Sequence, residues 1–207
     1  MAGISRSRRG HVAWGAFVIL AAGCSDTPVA PAGTDRVRPS YNTETGRLER
    51  ITYDRNGDGR TDATTYMDGT AVVRAELDQN FDGTTDRWEH YARGTSRSSS
   101  SATAGAGTSG GGVLEKVETT TRSDGQVTRW ETYESGLLRR VEEDSDADGR
   151  VDKWETWERG SLRVVALDTR GKGTADRRLV YSADGQAPRL EVDATGRGVF
   201  EPAPVAR

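Results

Sequence analysis

Asp144-Ser145-Asp146-Ala147-Asp148-Gly149-Arg150-Val151-Asp152 is followed by Lys153-Trp154-Glu155-Thr156-Trp157 and then by Glu158-Arg159-Gly160. An acidic loop, an aromatic segment and a glycine turn stand in that order. An aliphatic segment with Leu162, Val165 and Leu167 comes next, and a second Asp-rich loop opens at Asp168, 24 residues after the first. Working outward, the same unit recurs at Asp54, Asp78 and Thr120, with a partial copy from Asp193. Self-similarity at a fixed period marks a repeat architecture. The step from Asp78 to Thr120 exceeds the period by 18 residues, and residues 94–112 in that interval are nearly all Ser, Gly, Ala and Thr. That is the composition of a flexible linker.

The Trp-x-x-Tyr spacing of Trp88/Tyr91 and Trp130/Tyr133 would suit one face of a helix. Three features favour strands instead. Val117-Glu118-Thr119-Thr120-Thr121 is rich in β-branched residues. Asp68-Gly69, Ser135-Gly136 and Asp184-Gly185 lie between short apolar runs, where glycine supplies the positive φ of a hairpin turn. Ile51/Tyr53 and Val165/Leu167 alternate with period two. The expected fold is mainly β, with tandem hairpins of about 24 residues joined by Asp-rich loops in an antiparallel meander or a solenoid-like stack. The expected segments are a leader (1–23), a disordered tether (24–45), a first repeat block (46–93), the linker (94–112), a second block (113–198) and a tail (199–207).

The composition sets limits on function. Hydrophobic residues are 33% and charged residues 29% of 207, which excludes a bundle of apolar membrane spans. The net charge of -3 lacks the basic footprint of a nucleic-acid binder. Arg6, Arg8 and Arg9 precede an apolar run from Val12 to Ala22, the pattern of an export signal. The run ends Leu20-Ala21-Ala22-Gly23-Cys24, and Cys24 is the sole cysteine. This resembles the lipobox of bacterial lipoproteins, although Ala21 stands where leucine is commonest. The resemblance implies cleavage before Cys24, lipidation of that residue, and anchorage to a lipid bilayer in the cell envelope. Ser25 in place of Asp favours the outer membrane by the same analogy. The alternative is an ordinary secretory signal.

The loops carry the candidate chemistry. Asp78, Asn80 and Asp82 fall at positions 1, 3 and 5, with Gly83 at 6 and Glu89 at 12; Asp144, Asp146, Asp148, Gly149 and Glu155 match them. A hard cation takes six to eight oxygens, and alternate residues of a curled loop can supply them. The pattern resembles calcium loops of the EF-hand type, including those of dockerins and thrombospondin type 3 repeats, which implies bound Ca2+. Strands replace the flanking helices of that family, so Asp86 or Asp152 at position 9 could serve instead of the glutamate. The first loop has Asp54, Asn56, Asp58 and Asp62 but Thr65 at position 12, which predicts weaker binding. Arg122 should disable the third, while Arg170, Lys172 and Arg197 could replace the ion in the fifth and sixth. The competing expectation is that these loops are only turns, since Asx side chains cap their own backbone.

No catalytic set is evident. His90 is the one histidine beyond the leader, and no thiol nucleophile or phosphate loop accompanies it. The expected role is therefore a structural, adhesion or interaction module with an envelope protein or polysaccharide as partner. A metal-independent scaffold is one alternative. A glycan-binding module using Trp88, Trp130, Trp154 and Trp157 is another, against the simpler expectation that these aromatics form a core stripe.

Overall fold

Each acidic loop and each glycine turn reverses the chain, and the reversals build one antiparallel sheet. The computed structural model describes residues 36–93, 112–122 and 124–204. Thirteen strands follow in order: β1 (Val37–Tyr41), β2 (Leu48–Tyr53), β3 (Ala63–Asp68), β4 (Ala71–Leu77), β5 (Arg87–Arg93), β6 (Gly112–Thr119), β7 (Arg129–Glu134), β8 (Leu137–Glu143), β9 (Lys153–Glu158), β10 (Ser161–Leu167), β11 (Arg177–Val180), β12 (Arg189–Val192) and β13 (Glu201–Pro202). Every strand pairs with its neighbours in sequence, so the sheet is an open meander with β1 and β13 at its edges. The solenoid alternative does not hold. All thirteen strands lie within the compact unit Gly33–Arg207.

Two segment expectations need correcting. The stretch assigned to a disordered tether contains β1, which pairs with β2 from Val37 opposite Tyr53 to Tyr41 opposite Leu48. Proline 39 is tolerated because β1 is an edge strand. The tail likewise supplies β13, paired to β12. The leader and Cys24 lie outside the described residues, as does nearly all of the 94–112 segment. That segment stands where a tight turn would join β5 to β6, and those strands pair from Arg87/Thr119 to Arg93/Gly112. The two repeat blocks are thus one continuous sheet.

The turns follow sequence chemistry closely. Ser135 and Gly136 have φ of 52° and 76°, and Arg159 and Gly160 have 49° and 79°. Positive φ at both central residues of a two-residue hairpin matches the right-handed twist of the strands. Five hairpins carry a register shift near the turn. One residue of the second strand (Glu49, Val73, Glu115, Arg139 or Arg163) is left without a partner in the register at each, and these recur at the repeat period except across the longer step from Val73 to Glu115. Such a bulge returns Leu48, Val72, Leu114, Leu138 and Leu162 to the face of the residues three positions further on. An apolar spacing that looks helical therefore fits a strand.

The register sorts side chains onto two faces. On one, Ala75, Glu89, Val117, Glu131, Val141, Glu155 and Val165 stand directly opposite one another across seven strands. Val117 and Val141 are fully buried there, although the sheet is one layer thick. The cover comes from the long side chains beside them. Glu131 accepts from Arg129 Nε at 2.9 Å and from the Tyr133 hydroxyl at 2.7 Å. Glu89 does the same with Arg87 and Tyr91, and Glu155 with Lys153 and the Trp157 indole. Methylene stems of such pairs shield apolar surface while their heads stay wet. On the other face, Glu76, Trp88, Glu118, Trp130, Glu142 and Trp154 alternate in one row. All four tryptophans are half-buried, so none forms an enclosed core stripe.

Candidate metal centre

All the Asp-rich loops lie along one edge of the sheet, because each joins an even strand to the next odd one. They are bonded into a line. The position 1 N–H of Asp78, Thr120, Asp144, Asp168 and Asp193 donates to the position 9 carbonyl of the preceding loop, at 2.7–2.9 Å. Positions 1 and 9 consequently hold most of the buried polar residues: Asp62, Asp78, Asp86, Thr120, Thr128, Asp144, Asp176 and Asp193.

Within a loop, the carboxylates first serve the backbone. Asp78 accepts the Phe81 and Gly83 N–H groups at 2.7 and 2.8 Å, and Asp144 accepts Gly149 N–H at 2.8 Å. Asp86 accepts the N–H groups of Gln79 and Asn80, as Asp62 does those of Arg55 and Asn56 and Asp152 those of Ser145 and Asp146. Positions 3 and 5 each cap the residue two further on, as in Asp82 with Thr84 and Asp148 with Arg150. Buried polar groups must be satisfied, and these loops satisfy theirs internally. The sequence pattern marked glycine at position 6 and missed position 4, where Gly57, Phe81, Ala147, Gly171 and Gly196 also have positive φ. The glycines at three of the five copies were the available signal.

The bonding fixes protonation where it is dense. Burial opposes ionisation of Asp193, but the N–H groups of Gly198, Gly196 and Thr195 and the Thr195 hydroxyl outweigh it and hold the carboxyl at about 2. At Asp58 and Asp82, the N–H groups of Arg60 and Thr84, helped by the Asn56 and Asn80 amides, lower the carboxyl. Asp176 is lowered although burial opposes it, because Thr169 and Arg170 donate to it.

The loops differ in what stands at position 3. Asn56 donates its amide to Asp58 at 3.1 Å, and Asn80 donates to Asp82 at 3.0 Å and to Asp86 at 3.4 Å. Arg170 donates to Asp176, so the fifth loop carries its own cation, as its sequence suggested. In the sixth, Thr195 donates its hydroxyl to Asp193. The third loop has no carboxylate at positions 1 and 9. Thr128 there accepts Thr121 N–H at 3.0 Å, and Arg122 reaches past its own loop to the Asp146 carbonyl at 2.7 Å.

The fourth loop has Asp146 at position 3, an acceptor without a donor of its own once ionised. Asp144, Asp146 and Asp152 bring carboxylate oxygens within 4.8 Å of one another and could hold a metal ion; no other loop forms such a group among the described residues. Asp144 is buried, Asp152 half-buried and Asp146 exposed, which leaves a way in. Asp146, Asp148 and Asp152 also line a small cleft shared with Asp168 and Gly171 of the fifth loop. Glu155 and Glu89 are elsewhere. Each is tied to its face of the sheet by the basic and aromatic neighbours described above, and it is Asp152 at position 9, not Glu155 at position 12, that joins the fourth loop's carboxylate group.

No protein-family model matches this chain, and no curated protein or solved structure matches it either.

Proposed function

We propose that this chain is a lipid-anchored protein of the bacterial envelope, tethered through Cys24, whose sheet is a non-catalytic interaction module stiffened at its fourth loop by calcium. The observation that carries the calcium assignment is the grouping of Asp144, Asp146 and Asp152, with an aspartate at position 3 where the first and second loops have asparagine and the fifth has arginine. Carboxylates crowded in this way repel unless a cation offsets them. Oxygen ligands on an exposed loop suit a hard divalent ion, with Asp148, loop carbonyls and water completing the six to eight oxygens that calcium takes. Modules of this kind bind on the order of 0.1–1 mM, a range suited to the outside of a cell. Lipidation and an outer-membrane address rest on the Leu20–Cys24 motif and Ser25. Calorimetric titration of the mature chain with CaCl2 tests the assignment. One site is expected, lost in Asp146→Asn, and the absence of any binding heat overturns it.

A metal-independent scaffold has one observation in its favour. The third loop keeps the same backbone bonding with Thr120 and Thr128 in place of the carboxylates. Under that reading the melting temperature is the same in calcium and in EDTA.

A further inference from the structure

The row Trp88, Trp130, Trp154 has no part in the loops or the metal cluster. The three residues sit on alternate strands at one level of the sheet, each opposite a glutamate on both sides or, for Trp154, a glutamate and Ala166. Two strand spacings, about 9–10 Å, separate the backbones that carry successive tryptophans. Each of the three residues is half-buried, so part of it meets solvent. Among the described residues, no strand of a second layer covers this face.

The charges beside the indoles are balanced. Glu118 is bonded to Lys116 at 2.7 Å and to His90 at 2.9 Å, Glu142 to Arg140 at 2.7 Å, and Glu76 to Arg74 and the Tyr66 hydroxyl. The strip is therefore apolar plates set at a fixed pitch between neutralised pairs. It offers no net charge to draw a nucleic acid or a polyanion, and it is rich in donors and acceptors for hydroxyl groups.

We infer that this strip docks an extended, uncharged β-1,4-linked polysaccharide running across the strands. The two-sugar repeat of such a chain matches the pitch of the indoles, so equivalent sugar rings meet successive plates. The C–H face of a sugar ring is apolar and stacks on an indole, while its equatorial hydroxyls reach the flanking carboxylate and guanidinium groups. This gives the interaction module its partner and rests on that reading for nothing else, because none of the strip's residues belongs to the Asp144, Asp146 and Asp152 group.

The test is retention of the mature chain on cellulose and on chitin, with intrinsic fluorescence titrations using cellohexaose and chitohexaose. Binding to at least one of the two is expected. Each of Trp88→Ala, Trp130→Ala and Trp154→Ala should weaken it on the order of tenfold. Trp157→Ala, on the opposite face, should leave it unchanged, and so should Asp146→Asn, which separates this outcome from that of the calcium site. Circular dichroism confirms that each variant keeps its sheet. A folded chain that binds neither polymer overturns the inference. Concentration-dependent self-association that the same three substitutions abolish also overturns it, since the strip would then be an interface between copies.

Discussion

Arg170 donates to the Asp176 carboxylate at the step of the repeat where Asp146 stands beside Asp152 one loop earlier. The same backbone thus carries a built-in cation in one loop and a gathered acidic group in the next. Arg170 also donates to the Asp193 carbonyl at 2.8 Å, so it ties the fifth loop to the sixth. Arg170→Asp should therefore destabilise the calcium-free protein by about 1–3 kcal/mol, the cost of leaving a buried acceptor without its charged donor. It should also add a calcium site. A urea melt in EDTA reads the first effect, and a rise in calorimetric stoichiometry from one to two reads the second.

The reverse exchange is informative at Asp146. Asparagine at this position is what the first and second loops use, where its amide donates to Asp58 in the first and to Asp82 and Asp86 in the second. Asp146→Asn should raise the melting temperature in EDTA and remove the further rise on adding calcium. The wild-type shift at free calcium about tenfold above Kd corresponds to about 1.4 kcal/mol. A variant that still gains this amount would place the ion elsewhere.

The strands, the turns and the loop edge were legible in the sequence because repetition at a fixed period and turn glycines are local signals. The ligand set was only half legible. Position counting from a helical family chose Glu89 and Glu155, but in a strand residue 12 lies on the sheet face with Arg87 or Lys153 beside it. Asn80 counts as an oxygen ligand in a pattern, whereas its amide hydrogens decide how the second loop satisfies Asp82 and Asp86. Strand β1 was missed because Pro39 and the charged residues around it carry no alternation. An edge strand exposed on most of its length needs none.

Ala147 occupies position 4 of the fourth loop with φ of 59°, where three of the other copies have glycine. A Cβ in the left-handed region costs on the order of 1 kcal/mol. Ala147→Gly should stabilise the protein by up to about that amount, less the extra entropy of glycine in the unfolded chain. Phe81→Gly relieves the same strain but should gain less, since Phe81 also holds the Arg55 guanidinium 5.4 Å from its ring. Chemical denaturation of the two variants in EDTA gives the ranking.

Acid should undo the loop edge over a defined range. Asp58, Asp82, Asp168, Asp176 and Asp193 are all held below the ordinary 3.8, the last at about 2, and Glu118, Glu155 and Glu191 are held below 4.5. A carboxyl lowered in the folded state contributes stability above its unfolded value and loses it as pH falls through the folded one. Urea midpoints should thus be flat above about pH 4.5 and fall steadily towards pH 2. Asp193→Asn should shallow that slope, because an amide oxygen still accepts from Gly196 or Gly198 but no longer titrates. It should also lower the plateau, since a neutral acceptor bonds those N–H groups less strongly than a carboxylate. An unchanged slope in this variant would assign the acid transition to the glutamate pairs on the sheet faces instead of to the loops.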